Sequence, residues 1–281
     1  MNYRHGFHAG NFADVFKHAL LARLLVYLAR KDAPFRVIDT HAGEGAYDLR
    51  ADEATRTGEW RGGIARLADL SRADAPTREL LAPYLDIVGP LDADGRPALY
   101  PGSPVIAQRL MRKDDRAIFC ELRPDAFEAL RMRFVRDRRV KVLRLDGYTG
   151  LAAFVPPKER RGLVLIDPPF ERRDEFRALF QAFFDAYRKW PTGIYALWHP
   201  IKDFSEARRF FDDLRESGIK RVLRLELATG GAGDRLSRAG LVVVNPPFVF
   251  EEEARGLLPF LAGALAQGEG AGFAVEWIVG E

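Results

Sequence analysis

The tetrapeptide Asp167-Pro168-Pro169-Phe170 is the segment of this chain whose residue types combine most directly into chemistry. It follows the apolar run Leu163-Val164-Leu165-Ile166, which puts its carboxylate at the end of a strand. The exocyclic amine of a purine is a poor nucleophile, because its lone pair is delocalised into the ring. Two acceptors placed at the amine hydrogens favour a pyramidal nitrogen with a localised pair. The Asp167 carboxylate and the Pro168 carbonyl can supply them. Consecutive prolines stiffen the backbone and so preorganise both acceptors. Phe170 offers a face on which an extruded base can stack.

Other acids fall at comparable places. Asp39-Thr40-His41-Ala42-Gly43-Glu44-Gly45 follows the strand pattern Phe35 to Asp39, and its glycines allow a tight turn and close approach to a ligand. The segment fails the dinucleotide fingerprint: a third glycine is missing, and no strand-end acid follows about twenty residues on. Glu121 ends the second strand and offers paired acceptors for two ribose hydroxyls. Asp146-Gly147 follows the third strand, where an acid could bind an adenine amine. Three successive strand ends thus carry an acid, at the edge where open α/β sheets bind ligands. Near the N-terminus, Asp14, Lys17 and His18 share one helical face. Without a nearby cysteine or a fixed ligand spacing, no metal site is expected there.

The elements that must position these groups follow from periodicity. Apolar runs at 35–39, 117–121, 140–145, 163–167, 194–198, 222–227, 241–244 and 273–279 read as strands. They alternate with helical patterns, which indicates a mostly parallel sheet covered on both faces. Asn11 is placed to cap a helix reaching about Lys31. Gly102-Ser103-Pro104 suggests a capping hydroxyl before a proline at the first helical position. No good strand is expected between Ala46 and Pro101, where helical patterns lie near 60–70 and 77–88. A crossover needs far fewer residues. The expected organisation is therefore a main domain of 1–46 and 101–281 with an inserted helical subdomain at 47–100.

Composition sets wide bounds. The 281 residues are 47% hydrophobic and 30% charged, enough for a full core without disulfides. The single cysteine, Cys120, reads as a buried strand thiol and fits a reducing compartment. No signal peptide or transmembrane run is expected, so the cytoplasm is the expected location. The net charge of +3 permits a nucleic-acid partner without demanding one. Arg172-Arg173, Lys158 to Arg161 and the Thr229 to Arg238 loop are candidate RNA contacts.

One echo needs separating from the main motif. Asn245-Pro246-Pro247-Phe248 has the same pattern and also follows an apolar strand. Only a short glycine-rich connection joins that strand to the one before it, which implies antiparallel neighbours. Asn245 is therefore expected at the opposite sheet edge, as a strand stop ahead of the last helix.

Asp167-Pro168-Pro169-Phe170 resembles the Asp/Asn-Pro-Pro-aromatic motif of amino methyltransferases acting on nucleic acid. Tyr3-Arg4-His5-x-Phe7-His8-Ala9-Gly10-Asn11, continued through Ala13-Asp14-Val15-x-Lys17-His18, resembles the signature of the bacterial 23S ribosomal RNA adenine-N6 methyltransferase family RlmJ. Asp39 to Gly43, Tyr100 to Pro104, Leu163 to Pro169 and Asn245 to Pro247 extend the likeness over the whole chain. It implies a Rossmann-like class I methyltransferase fold with the helical insertion, S-adenosylmethionine as cofactor, and a monomer. The implied substrate is 23S ribosomal RNA free of ribosomal protein, at adenine 2030. His18, His41, Ser103, Glu121, Asp146 and Gly147 match the family's cofactor positions, Asp167 its catalytic acceptor, and Tyr3 a substrate-side position. Pro168 and Phe170 join the substrate side. The familiar motif ends in tyrosine, so Phe170 keeps the stacking face and lacks a phenolic hydrogen bond. Rival readings are a DNA adenine methyltransferase, a nucleotide-dependent oxidoreductase, and a non-catalytic nucleic-acid-binding protein on the same fold.

Overall fold

A computed structural model describes residues 3–231 and 235–281. The chain runs α1 (Phe12–Ala29), β1 (Arg36–Asp39), β2 (Ala46–Tyr47), α2 (Asp52–Thr57), α3 (Ala75–Val88), β3 (Tyr100–Pro101), α4 (Ser103–Leu110), β4 (Arg116–Cys120), α5 (Pro124–Phe134) and β5 (Val140–Leu143). It continues through α6 (Gly147–Phe154), β6 (Gly162–Ile166), α7 (Glu175–Lys189), β7 (Ile194–Pro200), α8 (Phe204–Glu216), β8 (Val222–Ala228), β9 (Arg238–Val244), α9 (Phe250–Ala264) and β10 (Gly272–Val279). Eight strands form one sheet in the order β10-β8-β9-β7-β6-β1-β4-β5. This is the Rossmann-like α/β architecture expected from the alternating pattern.

The continuous apolar runs are explained by two cores. Along β6, Leu163 and Leu165 pack on one face of the sheet, and Val164 and Ile166 on the other. Successive strand side chains point to opposite faces, so a sheet covered on both sides needs apolar residues at every position. One core is filled by α1, α3, α4 and α9, the other by α7 and α8. Helix α1 is buried on nearly every face, with Leu20, Leu21, Leu24, Leu25 and Leu28 at 2% exposure or less. Each such leucine contributes at most about 1.5–3 kcal/mol by area. Asn11 caps this helix, accepting from the Asp14 N–H at 2.9 Å. Cys120 is a buried thiol within β4.

Strand β1 is the switch point of the sheet. The chain moves outward from β1 through β4 to β5, then returns to place β6 on the other side of β1. The helices that follow these strands diverge there, and a crevice opens beyond the strand ends. Asp39, Glu121, Asp146 and Asp167 all follow or end strands of this parallel set.

Three local expectations need correction. Ala46–Tyr47 and Tyr100–Pro101 pair as a short antiparallel ribbon at the ends of the interval expected to lack strands. Two residues per strand are too few for an alternating pattern to show. Between them, the 60–70 pattern forms two 3-10 turns, Glu59–Gly62 and Ile64–Ala68, whereas α3 is a full helix. Trp60, Ile64, Leu81 and Tyr84 from this interval join the same core as α1. Ser103 is not a cap. It is the first helical residue of α4, and its hydroxyl donates to Asp39 Oδ2 at 2.7 Å.

The echo is resolved by strand direction. β9 pairs antiparallel with both β7 and β8, and Val244 lies beside Tyr195 near the start of β7. Asn245 therefore sits at the far edge of the sheet, a strand length of roughly 20 Å from the Asp167 edge. It holds φ at 55°, and its Nδ2 donates to the carbonyls of Pro191 and Gly193 at 2.7 and 2.8 Å. Asn245→Ala removes both bonds and puts alanine in the left-handed region, where asparagine is better tolerated. The expected loss is about 1–3 kcal/mol of stability in urea denaturation. An unchanged midpoint would contradict this structural role.

Candidate active site

The crevice at the switch point is a cavity of about 600 Å³. Its lining includes Tyr3, His18, His41, Ser103, Glu121, Asp146, Gly147, Asp167, Pro168 and Phe170, every position matched to the family's cofactor and substrate sites. Asp39 lies behind the wall. It is 1% exposed, with one oxygen taken by Ser103 and the other accepting from the His41 N–H at 3.3 Å. The first strand-end acid therefore braces the loop after β1 and does not face a ligand.

That loop crosses the strand ends and is fixed by backbone bonds. The Thr40 N–H donates to the Leu165 carbonyl at 3.1 Å, and the Ala42 N–H to the Cys120 carbonyl at 2.9 Å. Gly43 then turns with φ at 62°, where a side chain would also strike the Tyr47 hydroxyl. The turn aims the Gly43 N–H at Glu121 Oε2, 2.8 Å away, while Glu121 Oε1 accepts from the Arg123 N–H at 2.7 Å. Burial raises the Glu121 pKa, and these backbone donors oppose the rise. Each oxygen of this oriented carboxylate retains a further acceptor site. Asp146 caps α6 through Oδ1, accepting from the Thr149 N–H at 2.9 Å and the Thr149 hydroxyl at 3.1 Å. No hydrogen bond from the described residues reaches its Oδ2. Gly147 packs so closely on the Thr40 carbonyl and the His41 ring that no side chain fits there.

The histidines lining this half of the cavity are neutral. Burial brings His18 down to about 3 against the pull of Asp14, and His41 to about 4. His18 Nδ1 shares a hydrogen bond with the Tyr100 hydroxyl at 2.9 Å, and His41 Nδ1 with the Thr40 hydroxyl at 2.8 Å. Among the described residues, no group of three or more His, Cys, Asp or Glu could hold a metal.

The other half is organised by a residue whose role was not read from the sequence. Lys17 Nζ lies 2.5 Å from Asp167 Oδ2 and 3.1 Å from Asp14 Oδ1. Burial works against its ammonium, but Asp167 and Asp14 outweigh burial and push its pKa up. Asp14 is 2% exposed, and burial opposes its ionisation too. The hydrogen-bonded His5 and the Lys17 ammonium hold it well below the usual carboxylate range. Asp14 Oδ2 meets His5 Nε2 at 2.9 Å, and His5 Nδ1 meets the Tyr3 hydroxyl at 2.9 Å. A hydrogen-bonded chain thus runs from Tyr3 through His5, Asp14 and Lys17 to Asp167. The i to i+3 spacing of Asp14 and Lys17 was visible in the sequence. Their partner 150 residues away was not.

Asp167 Oδ1 and the Pro168 carbonyl accept no hydrogen bond from the described residues. They are therefore free to take the hydrogens of an amine. Phe170 holds φ at 49°, a strained value for an aromatic residue and one often found at functional loops. Its ring packs edge-on against Trp198 and Phe176, at 6.0 and 5.0 Å between centroids. The N-terminal segment lies over the cavity. Arg123 Nη1 donates to the Tyr3 carbonyl at 2.5 Å, Tyr3 stacks on His8, and His8 bonds Glu59 at 3.0 Å. One half of the cavity can hold a nucleoside, and the other can present acceptors to an amine.

Comparison with known proteins identifies the family. A family model described as ribosomal RNA large subunit methyltransferase D, RlmJ, matches residues 32–279. Proteins named ribosomal RNA large subunit methyltransferase J from Escherichia coli and Haemophilus influenzae are each 40% identical, over all of both chains. A crystal structure of a Legionella pneumophila protein superposes with a TM-score of 0.86 at 32% identity, covering 96% of this chain and 98% of that one.

The bracing role of Asp39 has a pH signature. Burial pushes its pKa up to about 6, with the Ser103 hydrogen bond pulling the other way. The unfolded value is about 3.9. The folded state thus binds the proton more tightly, so this contribution to stability is complete below about pH 4 and is lost as pH rises through 6. Asp39→Asn should escape that loss. Its stability relative to the parent should rise by about 2–3 kcal/mol between pH 4 and pH 7.5 in denaturation curves. A difference that does not vary with pH would overturn the assignment.

Proposed function

The chain belongs to the RlmJ family of ribosomal RNA large subunit methyltransferases, and from that membership and the cavity we propose that it methylates the N6 amine of an adenine in 23S ribosomal RNA, using S-adenosylmethionine. The observation that carries this reading is the pair of unused acceptors, Asp167 Oδ1 and the Pro168 carbonyl, beside Phe170 in a cavity that also holds Glu121 and Asp146.

The donor set fits the cofactor. Glu121 would bind the two ribose hydroxyls, and Asp146 with Gly147 would meet its adenine. His18, His41 and Ser103 complete the set of positions matching the family. When bound, S-adenosylmethionine supplies an electrophilic methyl group. The two neutral histidines would add no positive charge to a site for a cationic cofactor.

The substrate half does the activating. Phe170 gives the extruded adenine a stacking face. Asp167 Oδ1 and the Pro168 carbonyl accept from the two amine hydrogens and localise the nitrogen lone pair. Lys17 grips Asp167 Oδ2, so the carboxylate keeps one orientation before the base arrives. Positive charge grows on the amine during transfer, and a carboxylate already held in one orientation stabilises it. Tyr3, at the outer end of the chain of bonds, contributes to the substrate side. We read residues 47–100 as a helical subdomain that anchors the N-terminal segment through Glu53 to Arg4 and Glu59 to His8.

The direct test is transfer of labelled methyl from S-adenosylmethionine to RNA and DNA oligonucleotides, with N6-methyladenine identified in the product. RNA is the expected acceptor, and a clear preference for DNA would move the assignment to the rival class. Asp167→Ala should lower the rate about a hundredfold to a thousandfold while cofactor affinity stays near normal. Asp167→Asn keeps an acceptor oxygen and should retain more activity. Normal turnover in the alanine variant would remove Asp167 from the chemistry. Glu121→Ala should weaken S-adenosylmethionine binding by about 1.5–3 kcal/mol in calorimetry. Unchanged affinity would leave Glu121 only its hold on the Gly43 turn.

A further inference from the structure

The sequence offered three arginine- and lysine-rich stretches as RNA contacts, and the fold separates them. Lys158 to Arg161 lie at the wrong edge. Arg161 gives its guanidinium to the carbonyls of Leu28 and Ala33, its own carbonyl accepts from Arg36 at the start of β1, and Glu159 pairs with Arg36. That cluster closes the sheet at the end opposite the cavity. Arg172 and Arg235 do line the cavity mouth, and Lys202 joins them. Residues 232–234 of the third stretch lie outside the described residues.

Lys202 and Arg235 come from two loops held together at the end of β7. Ala239 pairs with Pro200, and the Ile201 N–H donates to the Arg238 carbonyl at 2.9 Å. Both side chains are exposed, and neither forms an ion pair among the described residues. Phe204 opens α8 two residues after Lys202. It is 46% exposed, with the Arg238 guanidinium over its ring at 6.0 Å. An exposed aromatic alone is ordinary. Here the ring lies under Arg238 and two residues after Lys202, and Lys202 and Arg235 line the cavity read as receiving a base. The neighbouring acids include Asp203, which is committed to capping Ser205, and Glu206. The part of the lining formed by Glu44 and Arg123 has a different character. The arginines there are used: Arg123 by Asp125 and the Tyr3 carbonyl, and nearby Arg4 by Glu53.

We propose that Phe204, capped by Arg238 and accompanied by Lys202 and Arg235, is a stacking clamp for an unpaired nucleotide next to the target adenine, so that the RNA strand enters over the end of β7 and the start of β9. This rests on the reading of the cavity as an RNA adenine methyltransferase site. Single-stranded RNA is held by this combination: a base stacks on an aromatic or arginine plane, and adjacent cations meet its phosphates. A lone adenine nucleotide reaches the cavity without using the clamp.

The test is fluorescence anisotropy of a labelled RNA hairpin whose loop carries one adenine flanked by unpaired nucleotides, with methylation KM measured on the same RNA. Phe204→Ala should weaken binding and raise KM by roughly five- to a hundredfold. Phe204→Trp should recover most of the loss, which a merely structural role for the ring would not predict. Adenosine monophosphate, with no neighbouring base, should bind the alanine variant as it binds the parent. Lys202→Ala and Arg235→Ala should each lower the slope of log affinity against log salt by about one. These two lysine and arginine variants decide the matter if Phe204→Ala fails to fold by circular dichroism. Hairpin affinity within twofold of the parent in the folded variants, with unchanged salt slopes, overturns the clamp alone. Failure of the parent protein to bind the hairpin overturns the clamp and the RNA reading together.

Discussion

The ion pair between Lys17 and Asp167 is the contact around which the cavity is built. It joins the first helix to the end of β6 at 2.5 Å, with the lysine 6% and the aspartate 16% exposed. Removing Lys17 would leave Asp167 and Asp14 facing each other without their shared ammonium, at a cost of about 3–5 kcal/mol. Asp14 extends the contact to His5 and Tyr3 and places the N-terminal segment over the cavity. A single electrostatic line therefore ties the covering segment to the carboxylate proposed to activate the amine. The pair holds one oxygen of that carboxylate and leaves the other available.

The sheet makes this contact possible. Because β1 is the switch point, the ends of β1, β4, β5 and β6 converge on one crevice, with two kinds of acid on its two sides. On the β4 and β5 side, Glu121 and Asp146 are oriented by backbone N–H groups and a helix cap. On the β6 side, Asp167 is oriented by a buried ammonium. Asp39, between them, is withdrawn from the cavity and pinned to Ser103. One parallel sheet thus separates the half proposed to hold a nucleoside from the half proposed to activate an amine.

Beyond β7 the sheet changes direction. β9 runs antiparallel, which sends Asn245 to the remote edge and brings Arg235, just before β9, to the cavity. The same reversal puts Arg235 and Arg238 beside Lys202 and Phe204. Within the described residues, no helix is long and apolar enough to cross a membrane.

Much of this was legible in the order of residues. The strands could be read because a sheet covered on both faces demands uninterrupted apolar runs, and the acids at their ends because a parallel sheet gathers such ends at one edge. The direction of β9 followed from the length of one connection. Motif likeness supplied the matching cofactor and substrate positions, and all of them line one cavity. The two-residue strands of the β2–β3 ribbon were too short to leave a pattern, and Ser103 looked like a cap because its hydroxyl precedes a proline. Its true partner is Asp39, 64 residues earlier. Lys17 and Asp167 are 150 residues apart, Arg4 and Glu53 are 49 apart, and Arg238 lies 34 residues beyond Phe204. Periodicity and capping are properties of neighbouring residues, so one chain read in order can reveal them. Pairings between distant charges leave no local mark, and only the packing of α1 on the sheet and the reversal at β9 decided which of them formed.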